Sequence, residues 1–236
     1  MNILAVDTSG FGGSVACSRQ GQRVVERSLS TQGRRHAQTL VLEVRTLLDG
    51  VGLQPTDINV VAVSIGPGSF TGLRVGVVFA KTFAWANDAS LVAVDTFRAI
   101  AQQAGDCGRP VAVVSDAQRQ EAFFNTYRWD PTQQCAMADG SIRIVPVAQV
   151  VQAAGDCMWS GPGIDRFAEA FADVEVAADR EPTATAIAQI GRIQCSAGDT
   201  ADLSSLEPLY IRRSYAEENA QQKAEQNAQE SAARQA

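Results

Sequence analysis

The sequence predicts an α/β protein made of two related lobes. Three observations lead there: short apolar runs alternate with stretches of helical apolar spacing, Gly- and Pro-containing turns separate them, and the second half begins in the same order as the first. The 236 residues suit two lobes of roughly 100 residues each.

Ile3-Leu4-Ala5-Val6 is a continuous apolar run that stops at Asp7-Thr8-Ser9-Gly10. It reads as a buried strand followed by a turn, because Asp, Ser and Gly satisfy or relax turn backbone. A short strand over about residues 12–18, a turn at Gly21 and a strand over about 22–30 complete a hairpin arrangement. Leu40, Val44, Leu47 and Leu48, broadened by Val41, recur at helical spacing. They predict a helix over about residues 35–48, ended by Gly50 and Gly52. Asn59 to Ile65 is a strand whose heart, Val60-Val61-Ala62-Val63, is apolar enough to be covered on both faces, as in parallel pairing. The loop Gly66-Pro67-Gly68-Ser69 leads into a helix over about 71–86. A strand over 91–94 and a helix capped by Asp95 or Thr96, running to about Ala104, close a first lobe of residues 1–104.

Residues 105–110 read as a linker, and the second lobe is expected over 110–215. Its strands are expected at Val111–Ser115, Glu121–Trp129 and Ser141–Val145, followed by a helix from Val147, a short strand at Met158-Trp159-Ser160 and a helix over about 184–195. From Ala216 to Ala236 the chain is rich in Ala, Gln and Glu and cannot bury a face, which predicts a frayed helix or a disordered tail.

A hydrophobic fraction of 45% supports a sizeable core, and the formal net charge is -6. A protein that grips nucleic acid by itself usually needs a basic stripe to neutralise phosphates. The basic clusters here are the pairs Arg34-Arg35 and Arg212-Arg213; either could touch a phosphate, but the plainer reading is solvated surface charge. The five cysteines are scattered, with no Cys-x-x-Cys pair, which speaks against a disulfide framework or a zinc site. The opening apolar run is too short for a signal-peptide core, and no stretch approaches the ~18 apolar residues of a membrane span. A soluble, cytoplasmic protein is expected.

The most informative stretch is Ser64-Ile65-Gly66-Pro67-Gly68-Ser69-Phe70-Thr71-Gly72-Leu73-Arg74. A glycine-rich turn between a buried strand and a helix N-terminus can hold an anion. It is not a P-loop, because no Gly-Lys-Ser/Thr follows, nor is it a dinucleotide fingerprint. The plainer reading is a tight connection that needs glycine for close packing. Gly72, Gly76, Ala80 and Ala84 lie four apart and form a small-residue ridge, against which another helix of this chain or of a partner could pack. His36 is the single histidine, and Leu40 stands where a second metal ligand on that helical face would sit, so no metal site is expected. Asp7 and Asp116 end corresponding strands of the two halves. They are weak candidates for holding a nucleotide, or two ordinary Asp turns. One histidine and no nucleophile elbow leave no hydrolase triad.

Ile3 to Ser9, Arg34-x-His36, the Gly66-Pro67-Gly68-Ser69-Phe70-Thr71-Gly72-Leu73-Arg74 loop and Pro208-Leu209-Tyr210-Ile211-Arg212 together resemble the TsaB family, also called YeaZ. The resemblance covers roughly residues 1–215. It implies a two-lobed actin-like ATPase fold, each lobe on a βββαβαβα-like plan, with the second partly degenerate.

The implied function is that of a non-catalytic subunit in bacterial tRNA threonylcarbamoyladenosine biosynthesis. Such a subunit pairs with the TsaD transferase and the ATPase TsaE, forms a homodimer when alone, and meets tRNA only through the complex. No cofactor is implied for the chain itself, with ADP or ATP at a subunit boundary left open. By position, the implied partner face comprises Arg34, His36, Leu40, Gly68, Ser69, Phe70, Thr71, Gly72, Arg74, Gly76 and Ala80. TsaD-like proteins carry His-x-x-x-His on the first helix, where this chain has His36 and Leu40. Departures from the family pattern are Ala37-Gln38 after the histidine and the late arginine of Asp116-Ala117-Gln118-Arg119. The competing expectation is a stand-alone actin-like small-molecule kinase using Asp7, Asp116 and the glycine loop. A metallopeptidase is a weaker third.

Overall fold

The computed structural model describes residues 1–20, 22–29 and 36–212, with the backbone alone for residues 36–38. Arg34, Arg35, Arg213 and the expected tail lie outside the described residues.

The first sheet contains strands β1 (Ile3–Asp7), β2 (Ser14–Ser18), β3 (Val25–Ser28), β4 (Val60–Gly66) and β5 (Ser90–Asp95), in the order β3-β2-β1-β4-β5. The three opening strands are antiparallel, and β1, β4 and β5 run parallel. Helices α1 (His36–Val51) and α2 (Phe70–Ala86) cover one face, where Leu4, Val6, Val61 and Val63 meet Leu40, Val44, Leu47, Val77 and Ala80. Alternation along each strand turns Ile3, Ala5, Val60 and Ala62 to the other face. The apolar run in β4 is covered on both sides, as expected.

After α3 (Thr96–Ala104), the second sheet is built from β6 (Val111–Asp116), β7 (Glu121–Asp130), β8 (Cys135–Ala138), β9 (Arg143–Pro146) and β10 (Met158–Ser160). Its order is β10-β6-β7-β8, with β9 also pairing β7. Antiparallel β6–β7 and parallel β6–β10 repeat the pairing of β1 with β2 and with β4. The counterpart of β5, a parallel strand beyond β10, is reduced to one bridge between Trp159 and Val176. Helices α4 (Val147–Ala154) and α5 (Gly163–Arg166) cover one face around Trp159, Phe124 and Phe171.

The lobe boundary read from the sequence needs correction. Helix α6 (Ala184–Ser196), expected in the second lobe, covers the open face of the first sheet through Ala184, Ile187, Ala188 and Ile190. The chain beyond it also stays with the first sheet: Ala201 bridges Leu91, Lys81 Nζ donates to the carbonyls of Ser204 and Leu206, and Leu209 N–H donates to the Ile65 carbonyl. Period and spacing locate a helix but do not say which sheet it joins.

Helix α3 packs between the two sheets, burying Phe97, Ile100 and Ala101 against Val111, Val113 and Tyr127. Asp95, at its N-cap, accepts from Tyr127 Oη at 2.6 Å, and Gln102 Oε1 accepts from Ala136 N–H at 2.8 Å. Among the described residues no helix is long and apolar enough to cross a membrane.

Candidate functional site

The glycine loop is fastened to the end of β1 by hydrogen bonds. Ser69 N–H donates to the Ser9 carbonyl at 2.7 Å, and Gly72 N–H donates to Ser69 Oγ at 3.2 Å, an N-cap for α2. Thr8 Oγ1 donates to the Gly72 carbonyl at 2.7 Å. A Cβ on Gly68 would lie 2.6 Å from the Ser9 carbonyl oxygen. Two donors that an anion site at this turn would use are thus already spent within the chain.

The small-residue ridge has the same explanation. A Cβ on Gly72 would lie 2.0 Å from the Thr8 carbonyl oxygen, and one on Gly76 would lie 2.3 Å from Thr8 Oγ1. Ala80 and Ala84 are fully buried. The ridge lets α2 settle on its own sheet, so Gly72, Gly76 and Ala80 are core positions rather than partner contacts. Leu40 needs the same correction, being 1% exposed within the first core. His36 opens α1, but its side chain and Arg34 lie outside the described residues.

The exposed side of α2 carries Phe70, Thr71, Arg74, Val78 and Trp85. At 100° per residue, Phe70, Arg74, Val78 and Trp85 fall within about 80° of one another, on one stripe. Trp85 is 76% exposed and Val78 63%, and α1 adds exposed Val41 and Leu42. Sequence reasoning did not single out Val78, Trp85 and Leu42, and it set Val41 on the apolar stripe of α1, where the structure instead exposes it. The available signal was that α2 is apolar nearly all round, with Arg74 and Lys81 as its charged residues, so that one apolar side had to face outward.

At the start of that stripe the guanidinium of Arg74 lies 3.9 Å from the centroid of the Phe70 ring. Its Nε donates to Tyr210 Oη at 2.9 Å, and the Phe70 and Tyr210 rings are 5.4 Å apart.

Behind this cluster is a cleft of about 490 Å³ between the sheets. Gly68, Ser69 and Phe70 form one wall, Asp116 to Arg119 the opposite one, and Leu209 to Arg212 the rim. Gln118, Arg119 and Gln120 have φ of 65°, 55° and 60°, a run of left-handed residues without glycine. Such a backbone is costly and persists only where its surroundings fix it. Here Asp116 Oδ1 accepts from Gln118 N–H at 2.6 Å, and Arg212 donates to the Ala117 carbonyl at 2.8 Å and to the Glu121 carboxylate. Arg212 is therefore a clasp between the chain's return and the β6–β7 hairpin, not a solvated charge.

Asp116 lines the cleft and pairs with Arg166 at 3.3 Å. Asp7 does not line it: it is 1% exposed, and its Oδ1 accepts from Ser9 N–H, Ser9 Oγ and Ser64 Oγ. A kinase site built on both carboxylates would need Asp7 at this cleft, and it is not among the lining residues. Glu181 lies near Asp7, with its pKa raised by burial, then by Asp7 and Asp165. Among the described residues no group of three His, Cys, Asp or Glu side chains could hold a metal ion.

Two five-stranded mixed sheets with the same central pairing, joined by a buried helix and carrying an exposed apolar face on α2, define an α/β protein of duplicated plan. Its residues 24–219 match the family model described as TsaD, tRNA N6-adenosine threonylcarbamoyltransferase. The chain is 26% identical to the tRNA threonylcarbamoyladenosine biosynthesis protein TsaB of Bacillus subtilis and 28% identical to that of Escherichia coli, in each case over 92% of this chain and 96% of the relative. The solved structure of YeaZ from Pseudomonas aeruginosa superposes with a TM-score of 0.78 at 27% identity, covering 89% of this chain and 99% of that one. The chain belongs to this family, among its TsaB (YeaZ) members.

Proposed function

We propose that this chain serves tRNA threonylcarbamoyladenosine biosynthesis as a non-catalytic subunit that pairs with and activates a TsaD-type transferase, together with a TsaE-type ATPase. The carrying observation is the outward apolar face of α1 and α2, with Val41, Leu42, Val78 and Trp85, in a chain of this family. Large exposed apolar residues gathered on one face mark interaction surfaces. Leu40 supports the non-catalytic part: the residue in place of a second metal ligand is a core leucine. The repeated β6–β7–β10 pairing supports an actin-like two-lobed ancestry in which the second lobe has lost a strand. In isolation the same face would join two copies of the chain, and tRNA is met only through the complex. The partner face proposed here keeps Phe70, Thr71 and Arg74 and replaces the ridge residues with Val41, Leu42, Val78 and Trp85.

Depleting the native chain and quantifying threonylcarbamoyladenosine in total tRNA by mass spectrometry tests the proposal. The modification is expected to fall, and to return with the intact chain but not with one carrying Val78→Glu and Trp85→Ala. An unchanged level on depletion would remove the pathway assignment.

A further inference from the structure

We infer that Arg74 is a preset anchor for a carboxylate on the protein partner that covers α2. The guanidinium is exposed, yet it is held on two sides, by the Phe70 ring at 3.9 Å and by Tyr210 Oη on its Nε. Tyr210 is itself placed by the chain's return, where Leu209 N–H donates to the Ile65 carbonyl and Lys81 holds Ser204 and Leu206. Among the described residues nothing accepts from the two terminal nitrogens of Arg74. With Nε engaged, the remaining donors are the terminal pair, whose parallel N–H bonds match the two oxygens of a carboxylate. An arginine immobilised by stacking loses little further freedom on binding, so the geometry favours recognition over solvation.

The position also selects the partner class. Arg74 shares its stripe with Val78 and Trp85, an apolar surface that suits a packed protein interface. The other cation of α2, Lys81, already donates to backbone carbonyls. A phosphate-tracking groove would instead need several open cations along its course. An acidic side chain flanked by apolar ones is therefore the complement of this face, with Arg74 setting the register of docking.

Because the inference rests on the partner role proposed above, the experiment separates the two. Binding of the full chain to the purified TsaD-type subunit is measured at low and high salt for the unaltered protein, Arg74→Met, Arg74→Lys and Trp85→Ala, with folding checked by circular dichroism. Arg74→Met keeps the apolar stem and is expected to lose roughly tenfold or more in affinity at low salt, with a weaker salt dependence. Arg74→Lys is expected to recover little of it, lacking the planar fork. Trp85→Ala should weaken binding at both salt concentrations alike. If Trp85→Ala weakens binding while Arg74→Met does not, the anchor is wrong and the partner role stands. If the unaltered chain does not bind, both fall. If Arg74→Met spares the subunit but lowers retention of tRNA by the complex, Arg74 holds a phosphate and the inference is overturned.

Discussion

The Thr8 side chain occupies the space that a side chain at Gly76 would need: a Cβ there would lie 2.3 Å from Thr8 Oγ1. This pairing, with the Thr8 carbonyl oxygen 2.0 Å from where a Cβ on Gly72 would lie, explains the two glycines of the ridge, which are cut to fit the end of β1, while Ala80 and Ala84 pack further along in the core.

Gly76→Ala should therefore destabilise the fold itself. Helix propensity alone would favour alanine by roughly 1 kcal/mol. Overpacking against Thr8 opposes it by about 1–3 kcal/mol, and a net loss of up to about 2 kcal/mol is expected. Urea unfolding followed by circular dichroism measures it, and an unchanged or higher midpoint would mean that α2 does not seat on Thr8.

The opposite face of α2 should behave in the reverse way. Trp85→Ala removes a ring that is 76% exposed, so the unfolding midpoint should move little. Association through this face should weaken by about 2 kcal/mol if Trp85 sits at its centre. Analytical ultracentrifugation of the chain alone and with the transferase subunit reads both, and unchanged association would place the interface elsewhere.

Acidity should act on two carboxylates in opposite senses. Burial raises the pKa of Asp95, although its bonds from Tyr127 and Phe97 oppose the shift. Its folded form holds a proton more tightly than the unfolded form, so its contribution to stability falls as pH rises from about 4 through the raised value. Asp202 is the contrary case, held down to about 2 by Ser204 and Ser205. Its contribution is present above about pH 4 and is lost as pH falls through its folded value. Stability measured from pH 3 to 7 should therefore lose part of its decline toward neutral pH in Asp95→Asn. It should lose part of its decline toward acid in Asp202→Ala. Unchanged slopes in both variants would contradict these environments.

Arg212→Met should loosen the left-handed run from Gln118 to Gln120. The guanidinium satisfies the Ala117 carbonyl and the Glu121 carboxylate from more than 90 residues away in sequence. A loss of about 1–2 kcal/mol is expected, with faster amide hydrogen exchange between Ala117 and Glu121. If exchange is unaltered, the hairpin holds its conformation without the clasp.

Much of the fold was legible in the sequence, because periodicity reports directly on which face is buried. Val60 to Val63 and the spacing of Leu40, Val44, Leu47 and Leu48 suffice to place β4 and α1. The short strand Cys135–Ala138 was not legible, since two of its four residues are alanine and it has little strand propensity of its own. Nor was the sheet to which α6 belongs, a matter of long-range packing. Phe70 and Arg74 were singled out through the loop motif as partner contacts, and the structure sets them side by side on the exposed stripe of α2. The ridge misled because small residues signal close approach without saying to what. Thr8, more than 60 residues earlier in the chain, holds the answer.

The return of α6 to the first sheet has a consequence for how the chain is made. β5 ends at Asp95 and α6 begins at Ala184, 89 residues later. At about 5–20 residues per second, the ribosome leaves the Ile3, Ala5, Val60 and Ala62 face without α6 for roughly 5–20 s. The first sheet is thus finished after the second has emerged, and residues 1–95 cannot be inherited, excised or recombined as a self-sufficient module without the segment from Ala184 onward.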